Sequence, residues 1–171
     1  MPKLLKHENT DFQANAAWLL SNIAGGSDDQ IQDIVDANLL SLLINLLESH
    51  DTNVQKQAIY AVGNIADAPN PETIKKIIDN DAVDLISNLL NSDDEEIIEV
   101  TIHTFGKMLK NAGKYFEDVY DDLKNSDMLS KINKLDSYGS TKISNLAYNF
   151  REAIAKKDVS GFGSNLCKIN A

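Results

Sequence analysis

Two groups of three side chains have types and spacings suited to holding an extended peptide. In chain order they are Asn15, Trp18 and Asn22, then Gln57, Tyr60 and Asn64. Successive members are three and four residues apart, which places each group on one face of a helix. An asparagine amide both donates and accepts hydrogen bonds, so it can pair with a peptide backbone unit. An aromatic face attracts a lysine or arginine cation. The pattern therefore predicts binding of a basic peptide.

The recurrence of this pattern distinguishes it from ordinary core packing. A lone aromatic residue on a helix is more often a packing residue, but Trp18 and Tyr60 lie 42 residues apart and each is followed by asparagine four residues later. Flanking alanine, leucine and isoleucine residues supply the buried sides of both helices. We therefore expect both groups to be exposed and to stack as successive rungs. His103 and Lys107 follow at the next level, where the lysine is expected to repel a cationic peptide.

The segments around these groups repeat with a period of about 42 residues. Residues 38–47 resemble residues 81–90, and residues 85–89 resemble residues 128–132, both at an offset of 43. This period is typical of armadillo and HEAT repeats. Such a unit cannot bury its apolar face alone and must stack on a neighbour. The period therefore predicts an elongated solenoid with an extended binding surface.

Within one unit the sequence predicts a short helix over residues 28–36 and longer helices over 38–48 and 52–66. A short first helix favours armadillo units over two-helix HEAT units. We predict an all-α fold, a right-handed armadillo superhelix of about three and a half repeats. A single domain over residues 1–157 would comprise a partial repeat 2–24, repeats 25–67 and 68–113, and a divergent last repeat 114–157. Residues 158–171, rich in glycine and serine, are expected to form a flexible tail.

Composition narrows the function. The formal net charge of −10 disfavours a nucleic-acid ligand and can steer basic peptides towards the chain. No apolar run reaches membrane-spanning length, so we expect a soluble intracellular protein without membrane contact. The single cysteine, Cys167, allows no intrachain disulfide. No zinc-ligand spacing, nucleophile motif or phosphate-binding loop is present, so neither a cofactor, a metal nor an enzymatic activity is expected.

Three segments resemble the importin-α family. Residues 18–26 are close to the Trp-x-x-Ser-Asn-Ile context of that family's third helices. Residues 30–39 are similar to the segment leading into its eighth repeat, and residues 97–101 to the start of the third helix of its ninth. The order of motifs agrees over about residues 3–155. The resemblance implies the last repeats, about the seventh to the tenth, of an adaptor that binds nuclear-localisation signals and works in cytoplasm and nucleus.

The resemblance also implies roles for particular residues. Trp18, Ser21 and Asn22 match the seventh-repeat members of the family's minor signal-binding site, and Tyr60 and Asn64 match the eighth-repeat members. The family's major site and its basic autoinhibitory segment have no counterpart in this sequence. The chain therefore resembles a part of such an adaptor.

Some departures from the family leave a second function open. Asn15 and Gln57 stand where the family carries glutamates that meet basic side chains. A structural or regulatory armadillo module with a vestigial groove is the alternative. Its end around Leu4, Leu5 and Phe12 would be apolar and exposed, and could form a homodimer or dock another protein. Residues 97–155 would retain the family's contacts with an export receptor or nucleoporins.

Overall fold

The fold is a stack of helices in which every third helix is long. The structure is a computed structural model that describes residues 1–162. Its described part contains eleven α-helices and three short 3₁₀ segments. The helices are α1 (Pro2–Leu5), α2 (Thr10–Ala24), α3 (Asp28–Asp36), α4 (Leu40–Leu46), α5 (Thr52–Ile65), α6 (Pro71–Ile78), α7 (Ala82–Asn88), α8 (Glu95–Asn111), α9 (Phe116–Asn125), α10 (Met128–Lys134) and α11 (Thr141–Lys156).

The helix starts follow from local capping chemistry. Ser27 forms a capping box with Gln30 at the start of α3. The carboxylates of Asp51 and Asp94 accept backbone N–H groups at the starts of α5 and α8. These side chains satisfy donors that have no partner within the helix. Pro71 begins α6, a position where the missing N–H costs nothing.

The long helices α2, α5, α8 and α11 are called here the third helices, and they pack on one another in chain order. Their inner faces supply much of the core, which continues from one unit to the next. Helix α5, in the middle of the row, has an almost wholly buried second half, including Ile59, Val62 and Ile65. The all-α fold and the stacked three-helix units confirm the predicted armadillo architecture. A unit of this kind gains its stability from its neighbours.

The segment after α11 differs from its prediction. Residues 158–162 were assigned to a flexible tail, yet the chain reverses at Lys157, which has a φ of 52°, and returns to the helices. The backbone N–H of Asp158 donates to the Ala153 carbonyl oxygen at 2.9 Å. Val159 and Phe162 are buried in the core. The burial of this segment could not be predicted from its sequence, because two apolar residues among glycine and serine show no helical or strand periodicity. The rest of the predicted tail, with Cys167, lies outside the described residues.

Across residues 1–162, no helix combines the length and the apolar character needed to cross a membrane.

Candidate functional site

The first rung is open and forms a pocket. Trp18 is 48% exposed and lines a pocket of about 290 Å³ between α2 and α5. The other lining residues are Ala14 and Asn15 of α2 and Asn53 and Gln57 of α5. An indole face therefore lies beside three amide side chains. An elongated cationic side chain could lie on the ring while its polar end meets the amides.

Gln57 leaves hydrogen-bonding capacity unused at this pocket. Its Nε2 donates to Asn53 Oδ1 at 3.4 Å, while its Oε1 is buried and has no hydrogen-bond partner among residues 1–162. A buried acceptor without a donor is costly, so a rotation of the Gln57 amide that brings this oxygen to a donor in the pocket would be favoured. Asn53, which the sequence did not single out, completes this side. Its position four residues before Gln57 was the available signal.

Asn15 and Asn22 are exposed, as predicted. They lie on α2 with Trp18 between them. Their amides are accessible to a chain that runs across the helix.

Tyr60 contradicts the predicted exposed ladder. Its side chain is only 5% exposed, and its hydroxyl donates to Glu96 Oε1 at the start of α8. Lys56 forms an ion pair with the other oxygen of the same carboxylate and a longer one with Asp94 at 3.4 Å. The hydrogen bonds from Lys56 and Tyr60 lower the pKa of the Glu96 carboxyl. The aromatic ring of the second rung is thus packed under the next unit rather than offered to a ligand.

Asn64 and Ser21 are also buried, against prediction. Asn64 is 6% exposed, and its Nδ2 donates to the Ser21 carbonyl oxygen at 2.9 Å. The Ser21 hydroxyl donates to the Trp18 carbonyl oxygen at 2.8 Å. Asn64 therefore ties α5 to α2. Spacing on one helix places these residues on a common face, but it does not reveal how closely the adjacent helix covers that face.

Lys107 makes the equivalent tie one unit later. It is 2% exposed, and its Nζ donates to the Gly63 carbonyl oxygen at 3.2 Å. It also pairs with Asp67 at 3.4 Å. The expected repulsion of a cationic peptide is therefore weakened, because the ammonium group is directed to a carbonyl oxygen and a carboxylate.

His103, at the level after Tyr60, is partly buried and held neutral. Its Nδ1 is buried and has no hydrogen-bond partner in the described part of the chain. Burial lowers its pKa to about 4, and the charges of Lys107 and Lys142 act in the same direction, against Glu99. Residues 1–162 contain no group of three or more histidine, cysteine, aspartate or glutamate side chains placed to hold a metal ion.

Comparison with known proteins finds a match for one of the repeats and relatives for a longer segment. Residues 27–67 match the model of the armadillo/beta-catenin-like repeat. Importin subunit alpha-6 of Arabidopsis thaliana is 39% identical over 67 residues, which are 39% of this chain and 12% of that protein. Over these residues the chain is similar to importin-α, and it spans about an eighth of the length of these relatives. The probable importin subunit alpha-A of Dictyostelium discoideum is 37% identical over 65 residues, which are 37% of this chain and 12% of the relative.

Solved armadillo structures resemble the chain over most of its length. One chain from the crystal structure of computationally designed armadillo-repeat proteins for modular peptide recognition superposes on this chain with a TM-score of 0.80 at 29% identity. That match covers 88% of this chain and 61% of the designed one. Another engineered protein superposes with a TM-score of 0.79 at 29% identity, covering 90% of this chain and 60% of that protein. The armadillo fold thus extends well beyond the residues matched by the importin-α relatives.

Proposed function

We propose that this armadillo chain binds Lys/Arg-rich peptide segments at the Trp18 pocket. The observation that carries the proposal is an exposed indole beside a buried, unpartnered acceptor, Gln57 Oε1. These two features are complementary to a lysine or arginine side chain. The ring attracts the cation, and the amide oxygen accepts one of its N–H groups once the Gln57 side chain rotates towards the pocket.

The neighbouring amides suit the backbone of the same peptide. Asn15 and Asn22 are exposed on either side of Trp18, and each can donate to a carbonyl and accept from an N–H. Because Tyr60 and Asn64 are buried beneath this surface, they support the pocket and make no direct contact with ligand. The binding site is therefore centred on one rung, narrower than the sequence indicated.

The net charge acts over a longer range. A chain of net charge −10 attracts a cationic peptide before contact, and salt screens that attraction. Binding should therefore weaken as the salt concentration rises.

The relatives support a cellular role that we also propose. The proteins matched over 63 to 67 residues are named importin subunits alpha, so the peptides we propose are nuclear-localisation signals of imported cargo. The chain would then work in both cytoplasm and nucleus. Since the match spans only 12% of the first relative, the chain would supply one part of such an adaptor's binding surface.

A fluorescent Lys/Arg-rich peptide tests the proposal. We expect micromolar binding by the wild-type chain, reduced about fivefold to thirtyfold in Trp18→Ala because a cation–π contact contributes about 1–2 kcal/mol. Fluorescence anisotropy at low and physiological salt measures both affinities.

Leu19→Ala is the matched control. Leu19 is the next residue of α2 and is similarly exposed, but it does not line the pocket, so its variant should bind like wild type. Absence of binding at low salt, or equal losses in both variants, would show that the Trp18 pocket does not bind these peptides.

A second candidate function is a protein-docking module that uses the first helices. Leu4 of α1 and Phe12 of α2 are exposed apolar side chains, whereas Leu5, which the sequence predicts to be exposed with them, is buried in the core. The buried state of Tyr60 and Asn64 shortens the groove. Self-association through these helices, or docking of an export receptor or nucleoporin on residues 97–155, is the form that this function would take.

A further inference from the structure

The side chain of Phe162 is inserted between α8 and α11. Its ring centroid lies 5.7 Å from that of His103 and 5.3 Å from that of Phe150, with an edge-to-face angle of 80° to the latter. It also lies directly over Gly106. A Cβ atom added at Gly106 would lie 2.3 Å from the Phe162 Cβ and 2.7 Å from its Cγ. This contact requires glycine at residue 106.

The residues that hold Phe162 occupy rung positions of the third helices. His103 is 43 residues after Tyr60, and Phe150 is 43 residues after Lys107. In the same register Gly106 follows Gly63. Phe162 therefore packs on positions of α8 and α11 that correspond, by repeat register, to the rung positions of α2 and α5.

The contacts of the two glycines differ in origin. A Cβ atom at Gly63 would meet the Thr104 side chain, with Oγ1 at 2.7 Å, and that residue belongs to the following third helix. At Gly106 the three nearest atoms all belong to Phe162. At this point of α8 the nearest neighbour is thus Phe162, although α11 is the third helix that packs on α8.

We propose that residues 158–162 act as an internal ligand of the third-helix face, with Phe162 blocking a bound peptide from extending past the α5 level. The inference rests on the proposed function, because it concerns the extent of the same binding surface. Short basic peptides bind at Trp18 without disturbing the segment. Longer peptides reach α8 only after Phe162 has left its site.

The spacing of the helices gives the length of peptide that would reach Phe162 from the Trp18 pocket. Adjacent packed helices are about 8–10 Å apart, so reaching from α2 to the space beyond α8 requires about 20–25 Å, or about seven residues of extended chain. A four-residue Lys/Arg peptide and a twelve-residue Lys/Arg peptide are therefore suitable probes.

The test compares the full chain with Phe162→Ala, using Gly161→Ala as the matched control. Among residues 1–162, an alanine Cβ at residue 161 meets nothing within 4 Å. If the face at α8 is open one-tenth of the time and the longer peptide binds across it, removing the Phe162 side chain raises the affinity of that peptide about tenfold. The four-residue peptide should bind all three chains equally.

The seating of Phe162 is measured separately from peptide binding, by NMR titration of the His103 imidazole. Phe162→Ala should raise the pKa of His103 from about 4 towards 6.5, since burial is the largest cause of its depression. Glu99 and Lys107 on α8 and Lys142 on α11 carry the charges that act on this ring and are unchanged in the variant.

The outcomes separate the two proposals. If the short peptide fails to bind wild type, the proposed function is wrong and the block on extension falls with it. If the short peptide binds and Phe162→Ala gives the longer one no advantage, the internal-ligand proposal alone is overturned. An unchanged His103 titration also overturns it, because Phe162 would then not cover the ring.

Discussion

At the scale of single residues, the same repeat position performs two different tasks. Asn22 is exposed, whereas Asn64 is buried and donates to the Ser21 carbonyl oxygen. Lys107, at the same repeat position, also donates to a carbonyl oxygen, that of Gly63, but through an ammonium group. The identity of a residue in a repeat therefore does not determine its role. Asn64 and Lys107 each reach a carbonyl oxygen of the third helix before them.

Asn64→Ala tests the structural role of that asparagine. The substitution removes the donor and leaves the Ser21 carbonyl oxygen without this bond, so we expect the free energy of unfolding to fall by about 1–3 kcal/mol. Urea denaturation followed by circular dichroism measures it.

Asn22→Ala is the control, because it changes the equivalent residue where the side chain is exposed. Its effect should stay within about 0.5 kcal/mol. Equal stability losses in the two variants would contradict the assignment of Asn64 as an inter-helix tie.

The sequence predicted which residues share a helix face better than it predicted which of them are exposed. Trp18, Asn15 and Asn22 are exposed as expected, but Tyr60 is buried. Its hydroxyl donates to Glu96, a residue that lies 36 positions further along the chain. Periodicity within one helix carries no information about such a partner. The unpartnered Gln57 Oε1 could not be foreseen either, since it depends on the rotamer and packing of the side chain.

At the scale of elements, the helices themselves were largely predictable. Predicted helices over 28–36 and 52–66 agree with α3 (Asp28–Asp36) and α5 (Thr52–Ile65), because caps and apolar periodicity are local signals. The second helix is shorter than predicted, Leu40–Leu46 in place of 38–48. Asn38 has a φ of 54°, a left-handed conformation that delays the start of α4.

The close contact between Gly106 of α8 and Phe162 can be tested by substitution. Gly106→Ala should destabilise the wild-type chain, because the new Cβ would lie 2.3 Å from that of Phe162. In a Phe162→Ala background this clash is absent, and alanine gains about 1 kcal/mol of helix propensity over glycine. The cost of Gly106→Ala should therefore shrink or change sign.

Thermal unfolding of the four chains in this double-mutant cycle measures the coupling. Additive effects would show that Gly106 and Phe162 do not contact each other in solution.

At the scale of the whole molecule, charge and apolar surface favour different partners. The net charge of −10 opposes self-association through long-range repulsion. Near α1 and the start of α2, exposed Leu4 and Phe12 favour it locally. Salt screens the repulsion and leaves the apolar contact intact.

We therefore expect any association of this chain to strengthen with salt, opposite to peptide binding. Sedimentation velocity at low and high salt measures it, and the double substitution Leu4→Ser and Phe12→Ser should return the chain to monomer. Tyr148→Ser, an exposed aromatic residue on α11, is the control. A chain that stays monomeric at high salt and high concentration would rule out the surface around Leu4 and Phe12 as a dimer contact.

The ties between third helices have a consequence for how such chains can change. Asn64, Lys107 and Asn111 all donate to backbone carbonyl oxygens of the preceding unit. Every amino acid presents the same carbonyl group, so these ties make no demand on the identity of the residue that accepts. A unit grafted from another armadillo protein would meet the same acceptors at the same height. Recombination between repeat genes could therefore exchange binding rungs while the joints between units are kept.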